Sequence, residues 1–202
     1  MAVEKIEILD ADGQLAMIIS NGERIDEGNH RRYGPKRTDP GLLFFNNRGE
    51  ECGGFIYNSE ENDSSYNSFQ HLSFDQYRGD QNLILAQYQQ ADYHFKGLML
   101  SDYPDDSVGV DYERTIDSVL RVDPQANFEK ARRTALRKLI SEDRLEKRRL
   151  ILGSEDGVPS LQMMDQQGQT RIKIYVDSLG QPHLEFYDQG DSLLAAWPDV
   201  KQ

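Results

Sequence analysis

LQMMDQQGQTRIKIYVDSLGQPHLEFYDQGDSLLAAW, residues 161–197, decides the fold. Short runs of alternating apolar and polar residues are separated by turns carrying Asp and Gly, DQQG, DSLG and DQGD. Successive side chains of a strand point to opposite faces, so alternation marks a strand with one apolar face, and the turn length fixes which residues meet. An Asp that bonds its own backbone and a Gly free to turn left-handed suit a tight hairpin.

A four-residue loop Asp165–Gly168 sets Leu161 opposite Ile172 and Met163 opposite Thr170. A three-residue loop Ser178–Gly180 sets Val176, Ile174 and Ile172 opposite Pro182, Leu184 and Phe186. On the other face it pairs Lys173 with Glu185, Tyr175 with His183 and Arg171 with Tyr187, a charge pair and a cation–π pair that support the register. A two-residue loop Gln189-Gly190 sets Phe186 against Leu193 and Leu184 against Ala195. The reading is a four-stranded meander over 150–202. One of its faces is apolar, with Leu161, Ile172, Ile174, Val176, Leu184, Phe186, Leu193, Ala195 and Trp197. The opposite face carries Arg171, Tyr175, His183 and Tyr187, a candidate surface for a ligand or partner.

The same logic recurs upstream. With Asp10–Gly13 as a four-residue loop, Ile8 faces Leu15 and Ile6 faces Met17. Leu42–Asn46 and Glu50–Asn58 flank an Asn46–Gly49 turn, with Gly53 and Gly54 marking a bulge or a close backbone approach. Three more strands are expected at Phe69–Asp75, Asn82–Gln89 and Tyr93–Ser101, after a disordered-looking stretch NSEENDSSYN, residues 58–67. Residues 1–102 thus read as an antiparallel region of about seven strands, closing as a barrel or packing as a sandwich.

Residues 103–124 read as an acidic linker holding one short helix around Tyr112–Leu120, and 125–149 as one long amphipathic helix. Phe128, Ala131, Ala135, Leu136, Leu139 and Ile140, extended by Leu145, fall on one stripe of that helix. Nine Lys/Arg against four Asp/Glu between Phe128 and Arg149 make it locally basic, leaving −17 on the rest of the chain. The stripe is expected to be covered by β surface of the same chain or of a second copy, giving a homo-oligomer through the helix.

Over the whole chain, 202 residues with a net charge of −12, 37% hydrophobic residues and a mean hydropathy of −0.73 describe an acidic globular protein with a wet surface. That charge argues against nucleic acid and anionic membranes as partners. Cys52 is the single cysteine, so an internal disulfide and a thiolate metal cluster are excluded, which fits a cytoplasmic setting. MAVEKIEILD lacks the apolar core of a signal peptide, and no run approaches the roughly 20 apolar residues that span a bilayer.

Catalytic candidates are few. Asp75 and Asp80 face each other across DQYRGDQ, and with Glu51 and His71 they supply the groups of a carboxylate-based hydrolase; turn chemistry is the structural alternative. The loop at 22–40 clusters Arg31, Arg32, Lys36 and Arg37 around Tyr33, a mixture that grips phosphate and stacks on rings. Asp10 and Asp12 lack the further oxygen ligands of a calcium loop, and no zinc, phosphate-loop or dinucleotide motif is present, so no metal or cofactor is expected. Cys52, beside Glu50 and Glu51, reads as an inert thiol.

NNRGEECGGFIYN (46–58), LSFDQYRGDQ (72–81) and the D-x-x-G hairpins resemble a group of uncharacterised bacterial β-rich proteins. The resemblance implies a β-rich fold and carries no assigned activity. Three functions are therefore weighed. The first is a non-catalytic binding or assembly protein. The second is a small-ligand carrier whose barrel cavity is lined by Tyr57, Phe74 and Tyr88, and the third is a hydrolase on Asp75 and Asp80.

Overall fold

The computed structural model describes residues 2–26, 37–62, 65–123 and 125–198. Its elements are β1 (Lys5–Leu9), β2 (Leu15–Ser20), β3 (Gly41–Phe45), β4 (Glu51–Asn62), β5 (Ser65–Asp75), β6 (Gln81–Gln90) and β7 (Tyr93–Asp102), then α1 (Val108–Val122) and α2 (Phe128–Ser141). β8 (Lys147–Glu155), β9 (Val158–Met164), β10 (Thr170–Val176), β11 (Pro182–Tyr187) and β12 (Leu193–Trp197) complete the chain. The strands hydrogen-bond in chain order from β1 to β12, an antiparallel meander. Among the described residues β1 pairs only with β2 and β12 only with β11, so strand pairing closes no barrel. Residues 58–67, expected to be disordered, instead supply the end of β4 and the start of β5 around 63–64, which lie outside the described residues.

One turn recurs. In 10–14, 46–50, 76–80, 165–169, 177–181 and 188–192 the first residue's N–H donates to the carbonyl of the fifth, and the fourth donates back to the first. Asp165, Asp177 and Asp188 each accept two further backbone N–H bonds through Oδ1, which holds the turn from inside. Gly13, Gly49, Gly168 and Gly180 sit at φ between 73° and 85°, a conformation costly to any residue with a Cβ. In four of these hairpins the returning strand bulges at its second residue, Ala16, Cys52, Arg171 or Leu194.

The bulges correct the expected registers. Leu161 pairs with Ile174 and Met163 with Ile172; Ile8 pairs with Met17; Phe186 pairs with Ala195 and Leu184 with Trp197. The loop closes one residue later than expected and the bulge adds another, so each register moves by two and the faces are preserved. Leu193 is the exception, for it pairs with Tyr187 ahead of the bulge and leaves the row of Phe186. The 177–181 hairpin runs straight, with Ile174 opposite Leu184 and Lys173 opposite Glu185 as expected.

The long helix at 125–149 is also corrected. α2 ends at Ser141, where Asp143 turns left-handed at φ 53°, Arg144 N–H donates to Leu139 O and Asp143 N–H to Ile140 O, a helix stop that usually carries Gly. Lys147–Arg149 then open β8. The expected linker is a second full helix, α1. The α2 stripe is buried against it: Ala131 and Ala135 pack with Ile116, flanked by Tyr112, Val119, Leu120 and Phe128. The stripe is thus covered by a helix of the same chain at Phe128, Ala131 and Ala135, while Ile140 is left 60% exposed.

The chain divides into two compact units. Met1–Ile56, Phe74–Gln81 and Tyr103–Glu146 form one, with cores at Ile18, Ile25, Leu43 and Phe45 and between the helices; Tyr57–Ser73, Asn82–Asp102 and Lys147–Gln202 form the other. Among the described residues no helix is long and apolar enough to cross a membrane.

Candidate functional site

In the second unit the registers of β6–β12 line up two unbroken apolar rows. Leu85, Leu98, Leu152, Leu161, Ile174, Leu184 and Trp197 are consecutive cross-strand partners. So are Leu83, Leu100, Leu150, Met163, Ile172, Phe186 and Ala195. Directly opposed residues share a sheet face, so fourteen apolar side chains across seven strands form one surface. Leu85, Leu152, Met163, Ile174, Phe186 and Trp197 are 38–64% exposed, far more than a sheet face in a core allows. The meander half of this surface is the face read from 161–197. The half on β6–β8 was missed because 83–85, 98–100 and 150–152 are continuous apolar runs, with Ile84, Met99 and Ile151 at the alternate positions, so alternation marks no single face there.

The other face is apolar and buried on β6 and β7, at Ile84, Ala86 and Phe95, and polar and largely self-satisfied on β10–β12. The Tyr175 and His183 rings stack at 4.6 Å, His183 Nε2 lies 2.9 Å from Asp177 Oδ2, and Lys173 Nζ sits 4.5 Å from the Tyr175 ring centre. Glu185 accepts from both Tyr175 and Tyr187, which pushes the Tyr187 hydroxyl up to about 12. Arg171 donates to Asp165, Gln169 and the Asp188 carbonyl, bridging two turns. These four candidates therefore lock the meander together.

Further along that face a groove of about 170 Å³ opens over β6–β9, lined by Tyr88, Tyr93, Phe95, Arg148, Glu155 and Gln162 among others. Gly153 lines it, directly opposite Gly97 on β7. Burial pushes the Tyr88 and Tyr93 hydroxyls up. Tyr57 and Phe74, expected to line a cavity with Tyr88, are exposed. His71 Nδ1 is bonded to the Tyr88 hydroxyl.

In the first unit, Arg37 holds Glu51 in a two-pronged ion pair at 2.6 and 2.9 Å, and its N–H donates to Asp26 at 2.6 Å. Asp75 belongs to this group electrostatically. Burial first, then Asp80 and Glu51, push its carboxyl up to about 7 against the pull of Arg37. Asp75 Oδ1 is buried with no hydrogen-bond partner among the described residues. Gln76, rather than Asp75, heads the 76–80 turn, and Asp80 accepts from Gln81 N–H. Burial, Asp75 and Glu51 together push the Cys52 thiol up, away from the reactive thiolate. Arg31, Arg32, Tyr33 and Lys36 lie outside the described residues. Among the described residues no cluster of three His, Cys, Asp or Glu could hold a metal.

No protein-family model matches this sequence, and no curated protein matches it either.

Proposed function

We propose that this chain is a non-catalytic binding and assembly protein whose working surface is the apolar face of β6–β12. The two exposed rows carry the reading. The six most exposed side chains leave roughly 600 Å² of apolar surface in water, taking about 200 Å² for each fully exposed one. Covering it is worth on the order of 15 kcal/mol before the costs of association. Patches of that size on a monomer mark interaction surfaces.

Leu152→Lys combined with Ile174→Lys tests this. On a docking surface the variant folds with near-ultraviolet circular dichroism like the parent, and its Tm at high dilution moves by less than about 3 °C. Loss of cooperative unfolding would show that the chain's own core needs this face, and would overturn the reading.

The ligand-carrier alternative finds support in the groove, whose lining includes Arg148, Tyr88 and Tyr93, a combination suited to an aromatic carboxylate. Saturation-transfer NMR with indole-3-acetate, lost in Arg148→Met, is its test. The hydrolase alternative rests on Asp75 with Asp80; it needs a hydrolytic activity that Asp75→Asn abolishes at unchanged Tm.

A further inference from the structure

We infer that the occupant of the apolar face is the same face of a second copy of this chain. The inference rests on the docking reading above and adds the partner.

The shape of the surface is the first argument. Seven strands at about 4.8 Å spacing make a strip roughly 30 Å long and two side chains wide. A small ligand needs a concavity, and a helix meets the strip with a single stripe, where a second sheet meets both rows along their whole length. The strip accepts another sheet of similar length, stacked at about 10 Å with the strands within roughly 30°. The strip itself is such a sheet.

Its chemistry is the second argument. Both rows consist only of Leu, Ile, Met, Phe, Ala and Trp. No charge is stranded when the strip meets itself, so a chain carrying −12 overall can pair there without bringing like charges into the contact. The same net charge disfavours an anionic bilayer as the cover.

Area is the third argument. The roughly 600 Å² of the six most exposed residues, with the half-exposed ones beside them, approaches the roughly 800 Å² per partner of a stable interface. Self-contact about a two-fold axis closes at two copies and leaves no apolar strip uncovered.

Sedimentation velocity and light scattering on the full chain, from about 1 to about 200 µM, decide the matter. The expected result is a species of twice 23.2 kDa, with Trp197 fluorescence shifting to the blue as the dimer forms. Leu152→Lys/Ile174→Lys should weaken association at least about 100-fold. Leu179→Lys, at an exposed turn position off the face, should leave the mass unchanged. Should the lysine pair fail to fold, Leu152→Thr/Ile174→Thr, which puts a strand-favouring β-branched residue at both positions, takes its place with the same expectation. A parent that stays monomeric throughout, a dimer that survives the double substitution, equal loss in Leu179→Lys, or open-ended growth in mass each overturns the inference. A monomeric parent whose lysine variant folds normally overturns the second copy alone and leaves the docking reading standing; failure of both double variants to fold brings down both.

Discussion

Gly97 on β7 stands directly opposite Gly153 on β8, and a Cβ added to either would come within 2.5–2.6 Å of a backbone carbonyl oxygen on the facing strand. The Phe95 ring reaches to within 3.0 Å of where a Gly97 side chain would start, filling the space that the two glycines leave. Neither glycine has a positive φ, so what is needed here is room and not backbone freedom.

Gly153→Ala should therefore cost about 1–3 kcal/mol, the usual penalty of overpacking. Gly180→Ala offers the complementary case: φ is 81° and nothing lies within 4 Å of the added Cβ, so only conformational strain of about 1 kcal/mol is expected. Gly180→Asn should recover part of that loss, since Asn tolerates the left-handed region, while Gly153→Asn should be worse than alanine. Urea unfolding of the four variants measures both effects.

Asp75 sets a pH dependence. Its carboxyl is raised from 3.8 to about 7 in the folded chain, so the folded state holds the proton that the unfolded state releases. Its contribution is most favourable below about pH 4, declines as pH rises, and is lost by about pH 7. Asp75→Asn should flatten the Tm profile between pH 4 and 7 and raise Tm at pH 8 by about 3 °C or more. A profile unchanged by the substitution would show that the carboxylate is stabilised in solution.

Arg144 ties the end of the helix pair to its start, donating to Asp105 at 2.9 and 3.0 Å, to Asp111 at 2.8 Å and to Ser107 Oγ at 2.7 Å. The Arg144 bonds are the largest cause of the fall of the Asp105 carboxyl to about 2. Its contribution is present above the ordinary carboxylate range and disappears as pH falls through about 2. Arg144→Met should lower Tm at pH 7 more than Arg114→Met does, because Arg114 meets Asp111 alone from an exposed position. Below about pH 2 parent and Arg144→Met should converge. Hydrogen exchange should show the loss first in α1.

Much of the fold was legible because its turns are chemical. Asp165, Asp177 and Asp188 with their following glycines mark hairpins from composition alone, and two one-residue errors at each bulged hairpin leave parity intact. That is why Ile172, Ile174 and Phe186 were placed on the right face with partners one pair away. The bulges have no clear residue signal, since Ala16, Cys52, Arg171 and Leu194 share nothing. The straight hairpin differs in having Pro182 at the first position of its returning strand. The helix stop at Asp143 was hidden because an aspartate occupies a place where glycine is the usual marker. The working surface was half visible: periodicity showed which residues share a face, while tertiary packing alone decides whether that face is covered.

Asp102 and Lys147 are cross-strand partners, so the chain leaves β7 for the helix pair and comes back into β8 at the same rung of the ladder. Residues 103–146 are therefore an excursion from the path along the sheet, tied back to the 76–80 turn where Gly109 N–H donates to Arg78 O and Tyr103 N–H to Gln76 Oε1. Wherever neighbouring strands are neighbours in sequence, order can spread along the chain one strand at a time, as in repeat proteins, and a strand can be gained or lost at an end without rethreading the rest. The helix pair is then an insertion between two adjacent strands whose ladder it does not interrupt, and it forms one compact unit with β1–β3 and the 76–80 turn.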